Sequence, residues 1–313
     1  DALPTLGEHD KAIDSGQKFK KYYPRDESAD EVTFLMGKAH EKADKKAEAA
    51  ALYDAYSRSA RSVGSQIEAL VRLATVKSGD ERAASAALDR AIQLYKARKS
   101  TVDDRGKYYA AKARYMQGET ILKKFQDVKI EGDVKQLKTR LKSKTELLKK
   151  AAETFLSTAE IGAAEWTTAA LYQIGVTYES FSKALLNSPP PANLSAEEKE
   201  LYQQSIDEFV VPIEERSLEA YESGWHKAIE LGIFNSWTAK MREALGRLNS
   251  ELYPPLKEQG FEIRSQGPAQ LPPLIDATRR ASGGRSDKFL LPSADAKDKP
   301  KSDAKTETKG DKK

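Results

Sequence analysis

The sequence predicts an all-α protein built as a row of antiparallel helix pairs, and three observations carry that prediction. Ala, Glu, Lys, Leu and Arg dominate the chain, and these residues lose least on entering a helix. Apolar residues recur at intervals of three and four along most of residues 10–249, and no alternating strand pattern of any length interrupts them. Of the 313 residues, 39% are hydrophobic and 32% charged, a balance that suits a stack of helices, with much surface per residue, better than a sphere.

The elements follow in order. Residues 10–23 carry Ile13, Phe19, Tyr22 and Tyr23 and stop at Pro24, which cannot continue a helix. Residues 30–43 and 46–60 carry Val32, Leu35, Met36 and Ala39, then Ala49, Leu52, Tyr53 and Tyr56. Each has one apolar stripe and needs a partner to cover it. Similar helices are expected at 65–78, 81–98 and 107–125. A long one is expected at 133–160, its rhythm broken only around Lys144–Thr145. Residues 165–186 form another, then SPPPAN makes a loop. Ser195 with Glu198 opens the next helix as a capping box. Two helices, 196–209 and 212–231, are expected on either side of Pro212, and a last one at 235–249. The domain organisation that results is a linker at 1–9, an array at 10–253, and a Pro-rich extended segment at 254–292 leading to a charged tail at 293–313. The tail has no large apolar residue and is expected to be disordered.

Within the array, Gly37 is followed after three residues by His40, after twelve by Ala49 and after sixteen by Tyr53. These offsets resemble the 34-residue tetratricopeptide repeat, in which small residues let two helices approach and bulky ones fill the space beside them. Gly118 and Gly175 stand in similar surroundings, at separations that are not multiples of 34, so the later units are expected to be divergent and lengthened. The resemblance implies a right-handed superhelix whose concave face comes from the first helix of each pair. Phe34, Lys38, Glu41, Lys112, Tyr115, Glu119, Tyr172 and Glu179 are expected on that face, as a surface for partner proteins. The stretches EWTTAALYQIGVTYESFSKALLNSPPP and ELGIFNSWTAKMREALGRLNSELYPPL look like tetratricopeptide proteins of the gliding-motility machinery of predatory soil bacteria. YYPRDESADEVTFLMG is similar to the first repeats of outer-membrane-assembly lipoproteins. Both likenesses imply a periplasmic or outer-membrane-associated scaffold, with other proteins of an envelope complex as partners.

Net charge is only +4, so a general nucleic-acid field is not expected. A basic stretch at 123–150, with Lys135, Lys138, Arg140, Lys142 and Lys144 at its centre, is the exception. It offers a second reading, a peripheral binder of anionic membrane or nucleic acid. Residues 197–222, with nine acids against Lys199 and Arg216, are its acidic counterpart. No phosphate-cradling glycine motif, no G-x-S-x-G and no H-E-x-x-H occurs, and the three histidines are far apart. No catalytic residue, cofactor, metal or small-molecule substrate is therefore expected. An enzymatic alternative would need a cleft with two carboxyls about 5–10 Å apart, facing each other.

Overall fold

The computed structural model describes residues 6–191 and 194–254. The chain divides into a compact unit, Asp1–Lys257, and a second, Glu258–Lys313, which lies outside the described residues together with the expected tail. The described part is all-α, with ten helices and no strand. They are α1 (Leu6–Tyr22), α2 (Ala29–Lys42), α3 (Lys46–Ser59), α4 (Val63–Val76), α5 (Glu81–Ala97), α6 (Asp104–Asp127), α7 (Val134–Ala159), α8 (Ala164–Leu186), α9 (Ala196–Glu230) and α10 (Ser236–Leu248).

Each helix packs on its neighbours in sequence, and α4 with α6, α6 with α8, and α8 with α10 also meet. The buried apolar residues accordingly form three clusters that succeed one another along the chain, centred on α2 to α6, on α6 to α9, and on α8 to α10. Helix starts are set locally. The side chains of Ser62, Asp80, Asp103 and Asp133 each accept from a backbone N–H in the first turn of α4, α5, α6 and α7, satisfying donors that have no partner within the helix. The expected capping box of Ser195 and Glu198 is present at α9.

One packing unit recurs three times. A glycine of one helix faces an aromatic ring of the next: Gly37 of α2 against Tyr53, Gly118 of α6 against Phe155, and Gly175 of α8 against Tyr221. Three residues before each glycine stands a second aromatic, Phe34, Tyr115 or Tyr172, whose ring centre lies 5.8, 5.6 or 5.7 Å from that same facing ring. Four residues after the glycine, Glu41 and Glu179 accept hydrogen bonds from the hydroxyls of Tyr53 and Tyr221. In the middle unit Phe155 has no hydroxyl, and Leu122 stands where the glutamate would be. The polar pair has been replaced as a pair, which leaves no buried acceptor unmatched. The glycine-to-ring separation grows from 16 residues to 37 and then 46 (positions 37 and 53, 118 and 155, 175 and 221), because α6 to α9 are 23 to 35 residues long where α2 and α3 have 14.

Three expectations are corrected. Residues 6–9 are part of α1, and His9 is buried, so the helix begins inside the expected linker. Leu35 is exposed and takes no part in the stripe of α2. Residues 196–230 form one helix with Pro212 inside it. Proline there removes the hydrogen bond to the carbonyl of Glu208, and both residues are exposed, where the loss costs less than in a core.

His40 is buried at the junction of α1, α2 and α3, and its Nδ1 has no hydrogen-bond partner among the described residues. Burial holds its pKa below the ordinary imidazole value; Glu48 and Asp10 pull it up and Lys45 pushes it down. The unfolded chain therefore takes up this proton more readily than the folded one. The contribution is intact above about pH 6.5, the unfolded value, and is lost as pH falls below it. The melting temperature of the wild type is expected to fall more steeply between about pH 7 and pH 5 than that of His40→Gln. Parallel curves would show that His40 does not titrate on unfolding.

Candidate functional site

The chemistry-bearing residues gather on the side formed by α2, α4, α6, α8 and α10, in two parts of different character. The first part, from α2, α4 and the start of α6, is internally satisfied. Glu68 is buried between Arg72, at 2.9 Å, and Arg105, whose Nε lies at 2.6 Å. Burial alone would raise the Glu68 pKa, but hydrogen bonds from Arg72, Tyr109 and Arg105 outweigh it and hold the carboxyl below its ordinary range. The same two guanidiniums lie 5.6 and 5.9 Å from the centre of the Phe34 ring, and Lys38 Nζ lies at 6.0 Å. Arg72 also reaches Glu41 at 3.3 Å. The carboxylates of Glu41 and Glu68 and the guanidiniums of Arg72 and Arg105 are all paired with one another.

The second part, from α6, α8 and α10, is an aromatic row. Ring centres of Tyr108 and Trp166 are 5.7 Å apart, Trp166 and Tyr115 5.1 Å, Tyr115 and Trp237 6.1 Å, and Trp237 and Tyr172 5.8 Å. These spacings suit offset or edge-on ring contacts. Tyr108, Trp166, Tyr172 and Trp237 are half-buried, so each keeps part of its ring in water. Lys112 Nζ lies 5.8 Å from the Trp166 ring, and Lys240 Nζ lies 4.4 Å from Trp237 and 6.0 Å from Tyr172. The row is held in register by Gln173, which donates to the Tyr115 hydroxyl at 3.0 Å, and by Asn235, which ties the start of α10 to Thr168 of α8. Trp166 Nε1 is buried without a hydrogen-bond acceptor among the described residues.

Glu119 differs from the other carboxylates of this side. It is exposed and has no ion-pair partner among the described residues. The surrounding protein raises its pKa by desolvation, and the neighbouring Tyr115 hydroxyl opposes the rise. Glu179, by contrast, is bracketed by Lys183 at 2.7 Å, Arg247 at 2.9 Å and Tyr221 at 3.0 Å. Burial would raise its pKa, and these partners bring it below the ordinary value.

The structure thus sorts the eight sequence-predicted residues. Phe34 and Tyr115 are only 2% and 3% exposed, which corrects the expectation that their rings are open to a partner. They are covered because a following helix of the same side lies over each: α4 and α6 bring Arg72 and Arg105 to Phe34, and α8 and α10 bring Trp166 and Trp237 to Tyr115. Tyr172, near the end of the array, has only α10 over it and stays half-exposed. Glu41 and Glu179 serve as internal brackets. Lys112 and Glu119 lie with Tyr172 on the aromatic part, and Lys38 lies on the satisfied part. Sequence reasoning left out Tyr108, Trp166 and Lys240. The signal for Lys240 was its place three residues after Trp237, on the same helical side.

The basic stretch is also altered. Lys144 is 3% exposed. Its ammonium donates to the carbonyls of Phe125 and Val128, both at 2.7 Å, and lies 4.2 Å from the Phe125 ring. It closes the end of α6, where carbonyls lack helical donors. Burial lowers its pKa and Asp127 opposes that. Arg140 is held by the carbonyl of Glu131 at 2.7 Å. Only Lys135, Lys138 and Lys142 of the five expected residues are exposed.

Among the described residues no cluster of histidine and acid side chains is arranged to hold a metal ion, and no helix is long and apolar enough to cross a membrane. No family model matches the chain, and no curated protein is similar enough to count as a relative.

Proposed function

We propose that the protein is a tetratricopeptide-like scaffold that binds an extended or helical segment of another protein along the aromatic row of α6, α8 and α10. The observation that carries this is the row itself: four half-buried rings from three successive helices of one side, flanked by Lys112, Lys240 and Glu119, which has no ion-pair partner among the described residues. Half-buried aromatic area on rigid helices is what protein partners use as anchors, since it desolvates at little cost in rotamer freedom. The thrice-repeated glycine and aromatic unit supports the repeat assignment, because α2, α6 and α8 carry the same residue types at the same spacing. The resemblance of residues 165–256 and 10–60 to envelope proteins supports a place in a bacterial cell-envelope complex, such as a gliding-motility or outer-membrane-assembly machine.

The proposal is tested by reversing charge around the row, where the fold is least affected. Glu119→Lys with Lys240→Glu is expected to leave the melting curve unchanged and to weaken binding to proteins captured from the native cell by at least about tenfold, since like charges set against each other at an interface are costly. A variant that retains every wild-type partner at wild-type affinity overturns the assignment of the site.

A further inference from the structure

The opposite side of the array has a property of its own. Helix α8 packs on both α7 and α9, while α7 and α9 make no substantial contact with each other. The outward side of α8 is therefore left at the bottom of a groove of about 410 Å³. Leu171, Ile174 and Tyr178 form its floor, Ala152 and Leu156 one wall, and Ala220 the other. Leu156 is 51% exposed.

The wall from α7 is basic on balance, its lysines outnumbering Glu146 and Glu153, of which Glu153 lines the groove beside Lys149. Lys138, Lys142 and Lys149 fall at i, i+4 and i+11 on one side of the helix and are exposed. Lys149 lines the groove and makes only a long contact, 4.0 Å, to Glu153. Lys138 and Lys142 have no ion-pair partner among the described residues. The first half of α9 has the complementary character. Leu201, Ser205, Phe209 and Pro212 fall at i, i+4, i+8 and i+11 and are all exposed, Leu201 by 62% and Phe209 by 49%. Glu197, Glu200, Glu208 and Glu215 flank them, again without ion-pair partners among the described residues. One chain thus presents an apolar groove with a basic wall and, on the helix that forms the other wall, an exposed apolar stripe with acidic flanks.

We infer that the chain pairs with a second copy of itself through this side, the first half of α9 of each copy lying against the basic wall and groove of the other. A two-fold pairing uses the same patch twice, so a patch that is basic along one edge and acidic along the other is complementary to itself. An anionic membrane or a nucleic acid would be drawn to α7 but repelled by the nine acids of residues 197–222. A second copy matches both edges and covers Leu156, Leu201 and Phe209 together.

The experiment is sedimentation of the full chain over a wide concentration range, with two charge-reversed variants. One is Lys138→Glu, Lys142→Glu, Lys149→Glu; the other is Glu200→Lys, Glu208→Lys, Glu215→Lys. The wild type is expected to dimerise as concentration rises, less readily in high salt. Each variant alone is expected to dissociate at least about tenfold more readily, by like-charge contact. An equal mixture of the two is expected to form mixed dimers, since each basic edge again meets an acidic one. All substituted positions are exposed, and unchanged melting curves check that each variant is folded. A wild type that stays monomeric throughout, variants that dimerise as it does, or a mixture that stays monomeric would each overturn the inference.

Discussion

Gly118→Leu is expected to destabilise the protein far more than a leucine placed at exposed Lys123 of the same helix. Even a methyl group at position 118 would stand 2.5 Å from Cε1, 2.8 Å from Cδ1 and 2.9 Å from Cζ of Phe155. That ring has nowhere to swing. Phe155 is fully buried and packs on Tyr115, which is itself covered by Trp166 and Trp237. Overfilling a core of this kind costs about 1–3 kcal/mol, and the closeness of three ring atoms puts this case at the upper end. Phe155→Ala alone is expected to cost about 3–5 kcal/mol through the cavity that it leaves. The double variant should cost less than the sum, because the leucine then enters that cavity. Unfolding followed by circular dichroism checks all three, and a Gly118→Leu protein that melts with the wild type would contradict the close packing of α6 on α7.

Glu68→Ala is expected to be the second severe change. The carboxylate is the shared partner of Arg72 and Arg105, and its loss leaves two guanidiniums facing each other beside the Phe34 ring. Breaking a buried ion pair by removing one partner costs about 3–5 kcal/mol. Arg105 is close to half-exposed and can regain water, so the lower end, about 3 kcal/mol, is expected. Glu68→Gln keeps the shape and removes only the charge. Because the folded pKa of Glu68 lies below its unfolded value, its contribution is present above about pH 4.3 and is lost as pH falls through the folded value. The gap between wild type and Glu68→Gln should therefore close in acid, and a Gln variant as stable as the wild type at neutral pH would show that the network contributes nothing.

These two sites also show how far the sequence could be read. The glycines of the repeated unit were legible, since a small residue amid large apolar ones at helical spacing marks a place where two helices approach closely. Their facing rings were legible only for Gly37, whose Tyr53 follows after one short turn. For Gly118 and Gly175 the facing ring depends on where a long second helix comes alongside, and local periodicity does not encode that distance. Exposure was harder still. Phe34, Tyr115 and Tyr172 each stand three residues before a glycine and pack on the ring that faces it, but whether they are covered depends on a later helix of the same side, which is remote in sequence. Lys144 left a trace: the apolar rhythm of α7 breaks where it stands between Leu141 and Leu148. The break marks an inward lysine whose long stem reaches the open end of α6. Pro212 was misread because proline usually ends a helix, and its tolerance here rests on solvent exposure that the sequence alone does not report.

Binding of partners along α6, α8 and α10 can be captured by photo-crosslinking in the native cell. A photoreactive side chain is placed at position 119 or 240 of the aromatic row, or at exposed position 142 of α7. Adducts with another protein are expected from positions 119 and 240, and from position 142 only an adduct of twice the chain's own mass. Adducts with other proteins from position 142, and none from 119 or 240, would contradict it.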